Sequence, residues 1–242
     1  MKKITILFAS LVLTACGGSE QTRLGIDDAK TALACSDFEF SNVLYINTED
    51  GSGIDSKEVY KKADYRIVGS EFSLDGEMGE LQIRGRGNST WKAPKKPYRL
   101  KFKNRESLYG MAKAKNYVLL AEYSDKSLLR NYLAHRMSQD LNSNNDGYRL
   151  DTRFVELCLN GKYEGYYLLT EQVAVDKNRL NIDEDLGFLI EMEAGRDRAE
   201  AEGVENQHWF ELEGVYYVIK SPDIDDLLEQ EDGDSKVQSV VS

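Results

Sequence analysis

The strongest constraint on the fold is a dipeptide within residues 153–171 that favours a tight hairpin. Asn160-Gly161 separates two runs of apolar and aromatic residues, Arg153–Leu159 and Tyr163–Glu171. Asn-Gly is a preferred pair in two-residue hairpin loops, because both positions need a positive φ. The sequence therefore predicts two antiparallel strands that are joined directly at this turn.

Alternation of apolar and polar residues predicts several further strands. In Tyr98–Lys103 the tyrosine, leucine and phenylalanine face the core, and the basic residues between them face the other side, as the two-residue period of a strand requires. The remaining predicted strands are Phe38–Asn47, Tyr60–Val68, Leu81–Arg84, Leu186–Met192 and Val215–Lys220.

One principal helix is predicted, over Lys126–Leu141, after a start signal at Ser124-Asp125. Leu129 and Leu133 fall on one face of this helix and define its apolar side. His135 lies next to that side, and we interpret it as a packing residue rather than a catalytic one.

The first sixteen residues have the pattern of an export leader and are left out of the fold. A basic start precedes the apolar run Ile4–Leu13, which is too short to span a bilayer as a helix. Leu13-Thr14-Ala15-Cys16 resembles a lipobox, in which Cys16 is the lipidated residue; an ordinary secretory signal with an incidental cysteine is the alternative. We therefore expect a lipoprotein signal peptide at 1–16, a tether at 17–37, and export to the bacterial cell envelope, where a lipid anchor holds the chain on a membrane.

Cys35 and Cys158 are the two other thiols. In an exported protein they could form a disulfide, which the sequence alone does not decide. The alternative is an unpaired Cys158 that is buried in a strand.

A basic segment stands out against the acidic composition of the chain. Between Arg84 and Arg105 there are nine Lys or Arg residues and no carboxylate, whereas the formal net charge of the whole chain is -11. Such a segment favours an anion-binding loop, and a solvated basic hairpin is the alternative. The negative net charge argues against nucleic-acid binding by the protein as a whole.

Three ordered motifs, together with their spacing, resemble those of the CotH family of spore-coat-type atypical kinases. They are RGRGNSTWKAPKKPYRLKF, SDKSLLRNYLAHRM and LNGKYEGYYLLTEQV, and the resemblance runs from about Leu81 to Pro222. It implies an α+β, protein-kinase-like fold with a mostly antiparallel sheet and one principal helix. We accordingly expect a CotH-like kinase domain at 38–222, with the C-terminal part of the fold missing, and an acidic tail at 223–242.

The resemblance implies an atypical ATP-dependent Ser/Thr protein kinase that takes ATP with Mg²⁺ and acts on a protein substrate. Arg84 and Arg86 are candidates to grip phosphate oxygens, and Asn88 is a further donor next to the flexible Gly85 and Gly87. Two more cofactor-binding candidates come from the resemblance. They are Lys101, as a phosphate-pairing lysine, and Glu171, near the expected adenine site.

One departure from the family limits the expected activity. The metal-binding aspartates of CotH-like kinases come later, in an Asn-x-Asp and a Trp-Asp-x-Asp segment, and no Trp-Asp-x-Asp motif occurs here. We therefore assign no metal ligand or catalytic residue, and expect the chain as it stands to be inactive or weak. The alternative function is a non-catalytic envelope lipoprotein that uses the kinase-like scaffold to bind a partner.

Overall fold

The computed structural model describes residues 35, 42–69, 77–141, 150–177, 179–183, 187–197, 199, 209–222 and 235–236. These belong to one compact unit that spans residues 33–242. The predicted leader with Cys16, the tether apart from Cys35, and the acidic tail apart from residues 235–236 lie outside the described residues.

Seven strands form a closed barrel with the spatial order β1-β2-β3-β4-β5-β7-β6. Neighbouring strands are antiparallel except for β1 and β6, which pair in parallel and close the barrel. The strands are β1 (Asn42–Thr48), β2 (Lys61–Gly69), β3 (Glu77–Gly85), β4 (Tyr98–Glu106), β5 (Ala114–Leu120), β6 (Thr152–Leu159) and β7 (Lys162–Glu171).

Three later strands form a second, smaller sheet. They are β8 (Leu189–Glu193), β9 (Trp209–Leu212) and β10 (Val215–Ser221), and β10 lies between the other two with antiparallel pairing on both sides. The principal α-helix of the described residues is α1 (Arg130–Leu141), which lies between β5 and β6 in sequence. Residues 196–197, 199 and 235–236 are also helical.

This architecture corrects the expected fold class. The chain was expected to be protein-kinase-like and α+β, but the structure is mostly β, and its main body is a closed seven-stranded barrel. The contact that overturns the expectation is the parallel pairing of β1 with β6, for example Leu44 opposite Leu157. Strands so far apart in sequence meet only because closing the sheet buries both inner faces and leaves no open sheet edge.

The barrel interior is filled by one side chain from every second position of each strand, the period that the sequence shows in β4. Ile46, Ile83, Leu100 and Leu119 are among the fully buried residues. Phe102 lies at the centre of an aromatic group, with ring centroids 5.2 Å from Tyr65 and 5.8 Å from Tyr117, both edge-on. The core therefore holds the barrel from within, and the polar residues of the same strands face outward.

The predicted hairpin is confirmed. Strands β6 and β7 pair antiparallel, and both turn residues have positive φ, 51° at Asn160 and 76° at Gly161. The Asn160 side chain also accepts a hydrogen bond from the Thr48 backbone N–H at 2.8 Å and donates one to Ser52 O at 2.8 Å. These hydrogen bonds connect the turn after β6 to the end of β1, beside the β1–β6 pair that closes the barrel.

Helix α1 begins four residues later than predicted. The Asp125 carboxylate accepts a hydrogen bond from the Arg130 backbone N–H at 2.9 Å, and Leu128 before it has a positive φ of 59°, which is not helical. The side that packs on the barrel carries Tyr132, whose ring lies 5.2 Å from that of Phe154. The apolar side at Leu129 and Leu133 instead faces solvent.

Cys35 and Cys158 form a disulfide, with 5.9 Å between their Cα atoms. This decides between the two interpretations that the sequence left open, and it links Cys35 covalently to β6. Among the described residues, no helix combines the length and the apolar character that a membrane span requires.

Candidate functional site

Two arginines lie directly opposite each other on the outer face of the barrel. The register of β3 and β4 pairs Arg84 with Arg99, and both point outward because Ile83 and Leu100 beside them point inward. The Nε atoms of both arginines are buried and have no hydrogen-bond partner among the described residues. Like charges that face each other across a strand pair destabilise a sheet, and unsatisfied buried donors add to that cost.

Arg86 completes a group of three, which we call the arginine cluster (Arg84, Arg86 and Arg99). The pKa of Arg86 is below the ordinary arginine value because burial disfavours its charged form and because Arg99 and Arg84 repel it. Burial also lowers the pKa of Arg99, with Arg84 adding to the shift. A bound anion would reverse both effects, since it would offset the repulsion and accept the unsatisfied donors.

Among the described residues, a carboxylate of the second sheet acts on Arg86 of this cluster. Glu191 of β8 is close enough to favour the charged form of Arg86, which opposes the lowering of the pKa of that arginine. Its carboxylate already lies 3.3 Å from the Lys220 ammonium of β10. One carboxylate that is shared with Lys220 does not by itself balance three guanidinium groups.

Tyr60 links the arginine cluster to Lys101. The Arg84 guanidinium carbon lies 4.9 Å from the centre of the Tyr60 ring, and Lys101 Nζ lies 5.5 Å from the same centre. Both cations are within the range of a cation–π contact. Lys101 is therefore on the same outer face as the cluster, next to Tyr60.

Lys101 and Arg86 nevertheless line different cavities. Lys101 lines one of about 630 Å³ together with Lys62, Lys103 and Lys115. Arg86 lines another of about 340 Å³, between the loop after β3 and the segment that precedes α1. Of the three predicted phosphate-binding cations, Arg84 and Arg86 meet in the arginine cluster, whereas Lys101 lines a different cavity from Arg86.

Three cations of the basic segment make hydrogen bonds or ion pairs that stabilise the fold. Lys95 Nζ donates to Tyr166 O and lies 4.3 Å from the centre of the Tyr167 ring. Lys96 Nζ donates to Trp91 O at 2.7 Å, and Arg105 pairs with Asp176. Eight of the nine basic residues thus fall into three groups, which are the structural contacts of Lys95, Lys96 and Arg105, the arginine cluster, and the two lysines of the 630 Å³ cavity. The ninth, Lys92, is exposed.

Gly85 has a packing role that the sequence analysis did not assign. A Cβ at this position would overlap the indole of Trp91 and would lie 2.9 Å from Ser56 O. Gly85 therefore lets the Trp91 ring close over the end of β3, while its own N–H donates to Ser56 O at 2.7 Å. At Gly87 the backbone has a φ of 83°, which glycine adopts without strain.

The other two predicted site residues lie away from the cluster's contacts. Asn88 is exposed on the loop after β3. Glu171 is buried at the end of β7, where it lies 3.3 Å from Arg179 Nε and accepts a hydrogen bond from the Asp151 backbone N–H at 3.2 Å. Burial raises the pKa of Glu171, and the contact with Arg179 opposes that shift. Its carboxylate thus joins β7 to the chain that follows.

Glu122 and His135 lie beside the smaller cavity or near it. The Glu122 carboxylate accepts hydrogen bonds from Asn131 Nδ2 at 2.8 and 3.1 Å and lines the cavity. Burial lowers the pKa of His135, and the charge of Glu122 opposes this shift. The interpretation of His135 as a packing residue stays a prediction.

A metal site is a separate requirement of kinase chemistry. In the part of the chain that the structure describes, no three His, Cys, Asp or Glu side chains are grouped closely enough to hold a metal ion. The described residues therefore supply no ligand set for Mg²⁺.

Comparison with protein families agrees with the motifs in the sequence. The family model described as CotH kinase protein matches residues 83–234, which is more than half of the chain. The chain belongs to the CotH kinase family. Its function is therefore kinase-related, and the match covers the arginine cluster, α1 and the hairpin of β6 and β7. The search of curated proteins found no match.

Sequence reasoning missed three residues at this candidate site, which are Tyr60, Arg99 and Glu191. Arg99 was recognisable, because the alternation in β4 already placed it outward beside Lys101. Tyr60 and Glu191 come from other parts of the chain, and only the strand register and the position of the second sheet bring them to the cluster.

Proposed function

We propose that this chain binds ATP through the arginine cluster, as the phosphate-binding part of a kinase-related function. The observation that carries the proposal is the pair Arg84 and Arg99, which face each other with buried Nε donors that lack partners among the described residues. A sheet that keeps such a pair loses stability unless an anion is bound. Planar guanidinium groups suit phosphate oxygens because they donate two parallel hydrogen bonds.

The nucleotide is a better fit than a single carboxylate. Three guanidinium groups can offset the several negative charges of a triphosphate, whereas one carboxylate would leave the cluster strongly positive. Tyr60 adds an aromatic surface next to Arg84, at the edge of the cluster. Positioning and charge neutralisation are the main contributions that a protein makes to phosphoryl transfer, so these residues suit a kinase-related role.

Export to an oxidising compartment is also part of the proposal. Disulfides persist in exported proteins and are rare in the reducing cytosol, so the bond between Cys35 and Cys158 supports export. A lipid anchor at Cys16 remains a sequence prediction. Mass spectrometry of the cell-envelope fraction would reveal a diacylglyceryl group on that cysteine if the prediction is right.

Calorimetric titration with ATP, with and without Mg²⁺, tests the nucleotide proposal. Arg84→Gln should weaken ATP binding by about 10- to 100-fold, since a charge-assisted hydrogen bond contributes about 1.5–3 kcal/mol. The control is Arg66→Gln, because Arg66 also lies over a tyrosine ring, at 5.2 Å from Tyr45, but on β2 outside the cluster.

Two results would contradict the proposal. One is wild-type protein that binds no ATP; the other is equal loss in Arg84→Gln and Arg66→Gln, which would indicate general electrostatics. Lys101→Ala gives a further comparison. Because Lys101 lies outside the arginine cluster and lines a different cavity from Arg86, we expect this substitution to weaken ATP binding less than Arg84→Gln does.

A further inference from the structure

Helix α1 presents an apolar stripe to solvent. Leu133, Met137 and Leu141 follow one another at four-residue intervals, and Leu129 extends the stripe just before the helix. Their exposed fractions are 43% for Leu129, 51% for Leu133, 62% for Met137 and 79% for Leu141. Surface helices normally turn their apolar side towards the core, whereas α1 turns its apolar side towards solvent. Tyr123, 55% exposed, adds an aromatic ring in the segment before it.

Basic side chains accompany the stripe. From residue 126 to residue 141 the chain carries Lys126, Arg130 and Arg136 but a single carboxylate, Asp140, in a protein of net charge -11. All three cations are exposed. Arg136 Nε lies 3.8 Å from Asp140, and Arg130 Nε lies 3.7 Å from Asp125. Surface pairs of this kind are weak, so the remaining guanidinium nitrogens can still bind other anions.

We propose that this side of α1, which we call the outer face of α1, binds the surface of a bilayer that contains anionic lipids. The leucines and Met137 would enter the boundary between headgroups and acyl chains, while Lys126, Arg130 and Arg136 contact the anionic headgroups. Charge complementarity selects this occupant. The net negative charge of the chain is repelled by such a membrane, so a local basic and apolar surface decides which side approaches it.

The surface does not depend on the arginine cluster or on the predicted lipid anchor. An anchor at Cys16 would keep the chain near a membrane, and the outer face of α1 would then orient the barrel against it. Binding by a short helix is weak on its own, because its affinity grows with the buried apolar area and with the number of cations near the surface. A membrane-proximal chain is the setting in which weak binding is sufficient.

Three exposed methionines allow a direct test within the full chain. Met137 is 62% exposed and lies on the outer face of α1, whereas Met78 and Met192 are 71% and 69% exposed and lie on β3 and β8. Peroxide oxidation of each methionine is followed by mass spectrometry, without vesicles, with phosphatidylcholine vesicles, and with equimolar phosphatidylcholine and phosphatidylglycerol. At a lipid concentration high enough to bind nearly all of the chain, the anionic vesicles should slow oxidation of Met137 by about tenfold and leave the other two methionines unchanged.

A variant separates this surface from other membrane contacts of the chain. Arg130→Gln/Arg136→Gln keeps Met137 and the apolar stripe, and it should abolish most of the protection, because each cation contributes about fivefold in affinity near an anionic surface. Circular dichroism before oxidation checks that the variant is folded. Lys57→Gln/Lys177→Gln removes the same charge from segments outside α1 and should leave the protection of Met137 unchanged.

Four outcomes would overturn the proposal. They are unchanged oxidation of Met137 with anionic vesicles, equal slowing of all three methionines, equal protection by neutral vesicles, and full protection in the arginine double variant. A fifth is protection of Met137 that needs no vesicles and grows with protein concentration. That result would assign the surface to a second copy of the chain.

Discussion

Replacing Arg99 by glutamine should raise the stability of the ligand-free protein while it lowers the affinity for ATP. Arg99 faces Arg84 across the β3–β4 pair, and both have buried Nε atoms without hydrogen-bond partners in the described residues. Directly opposed like charges cost about 0.2–1 kcal/mol, and an unsatisfied buried donor costs about 1–3 kcal/mol. Glutamine removes the charge and the guanidinium but keeps a polar side chain.

The expected gain is about 1 kcal/mol, since the shorter side chain also loses some packing. For a domain of this size that corresponds to a rise in Tm of about 2–4 °C. Urea unfolding at low salt measures the gain, which should shrink in concentrated NaCl because salt screens part of the repulsion. ATP affinity should fall by about 10- to 100-fold in the same variant.

Opposite signs for stability and affinity distinguish a binding residue from a structural one. Arg66→Gln is the charge-matched control, and it should change neither quantity by much because Arg66 is exposed and lies outside the cluster. A variant Arg99→Gln that unfolds more easily than wild type would refute the reasoning. It would mean that the arginine pair stabilises the barrel.

Three further predictions test the fold around this site. Replacing Cys35 and Cys158 by serine should cost about 2–4 kcal/mol of unfolding free energy, measured in urea, and reduced wild type should match the variant. Gly85→Ala should lower the unfolding free energy by about 1–3 kcal/mol and shift Trp91 fluorescence, because the new methyl group overlaps the indole. The control Gly53→Ala places its methyl group in open space and should lower the unfolding free energy less. Burial raises the pKa of Glu156, so the folded state binds a proton more readily than the unfolded state does. The free energy of unfolding therefore falls as pH rises above the ordinary glutamate pKa of about 4.3. Glu156→Gln should therefore raise Tm more at pH 7 than at pH 4, whereas a matching gain at both pH values, or in the exposed control Glu58→Gln, would contradict this.

Local sequence signals predicted the elements whose causes are local. The hairpin at Asn160-Gly161 was predictable because the turn geometry is a property of those two residues. Strand β4 was predictable because its alternation is complete in one stretch. Strand β5 was missed, since Ala114–Leu120 ends in a continuous apolar run, and β9 was missed because it has only four residues.

The barrel itself was not predictable in this way. Its closure depends on β1 meeting β6, and a hydrogen bond between Asn42 and Phe154 spans 112 residues of sequence. Similarly, the reversed orientation of α1 follows from Tyr132 packing on Phe154, a contact that helix periodicity does not specify. Because these distant contacts could not be read from the sequence, the fold class was inferred from the resemblance to a kinase family, and that inference was wrong.

The candidate site shows the same division between local and distant causes. The basic segment was recognisable in the sequence as a group of nine cations, but Lys95, Lys96 and Arg105 make structural contacts with backbone carbonyls or with Asp176. Which cations remain for a ligand is decided by strand register, because register alone places Arg84 opposite Arg99. A charge count along the sequence therefore locates the surface but does not identify its binding residues.

A second like-charge pair on the barrel helps to identify what is special about the arginines. Asp64 of β2 lies directly opposite Glu80 of β3, so a repulsive pair is not in itself unusual in this sheet. Both of those carboxylates are exposed, where water weakens their repulsion and satisfies their oxygens. Arg84 and Arg99 are only partly exposed and keep buried donors without partners among the described residues. Burial together with missing partners, rather than charge alone, is what makes the arginine pair costly without a ligand and suited to bind one.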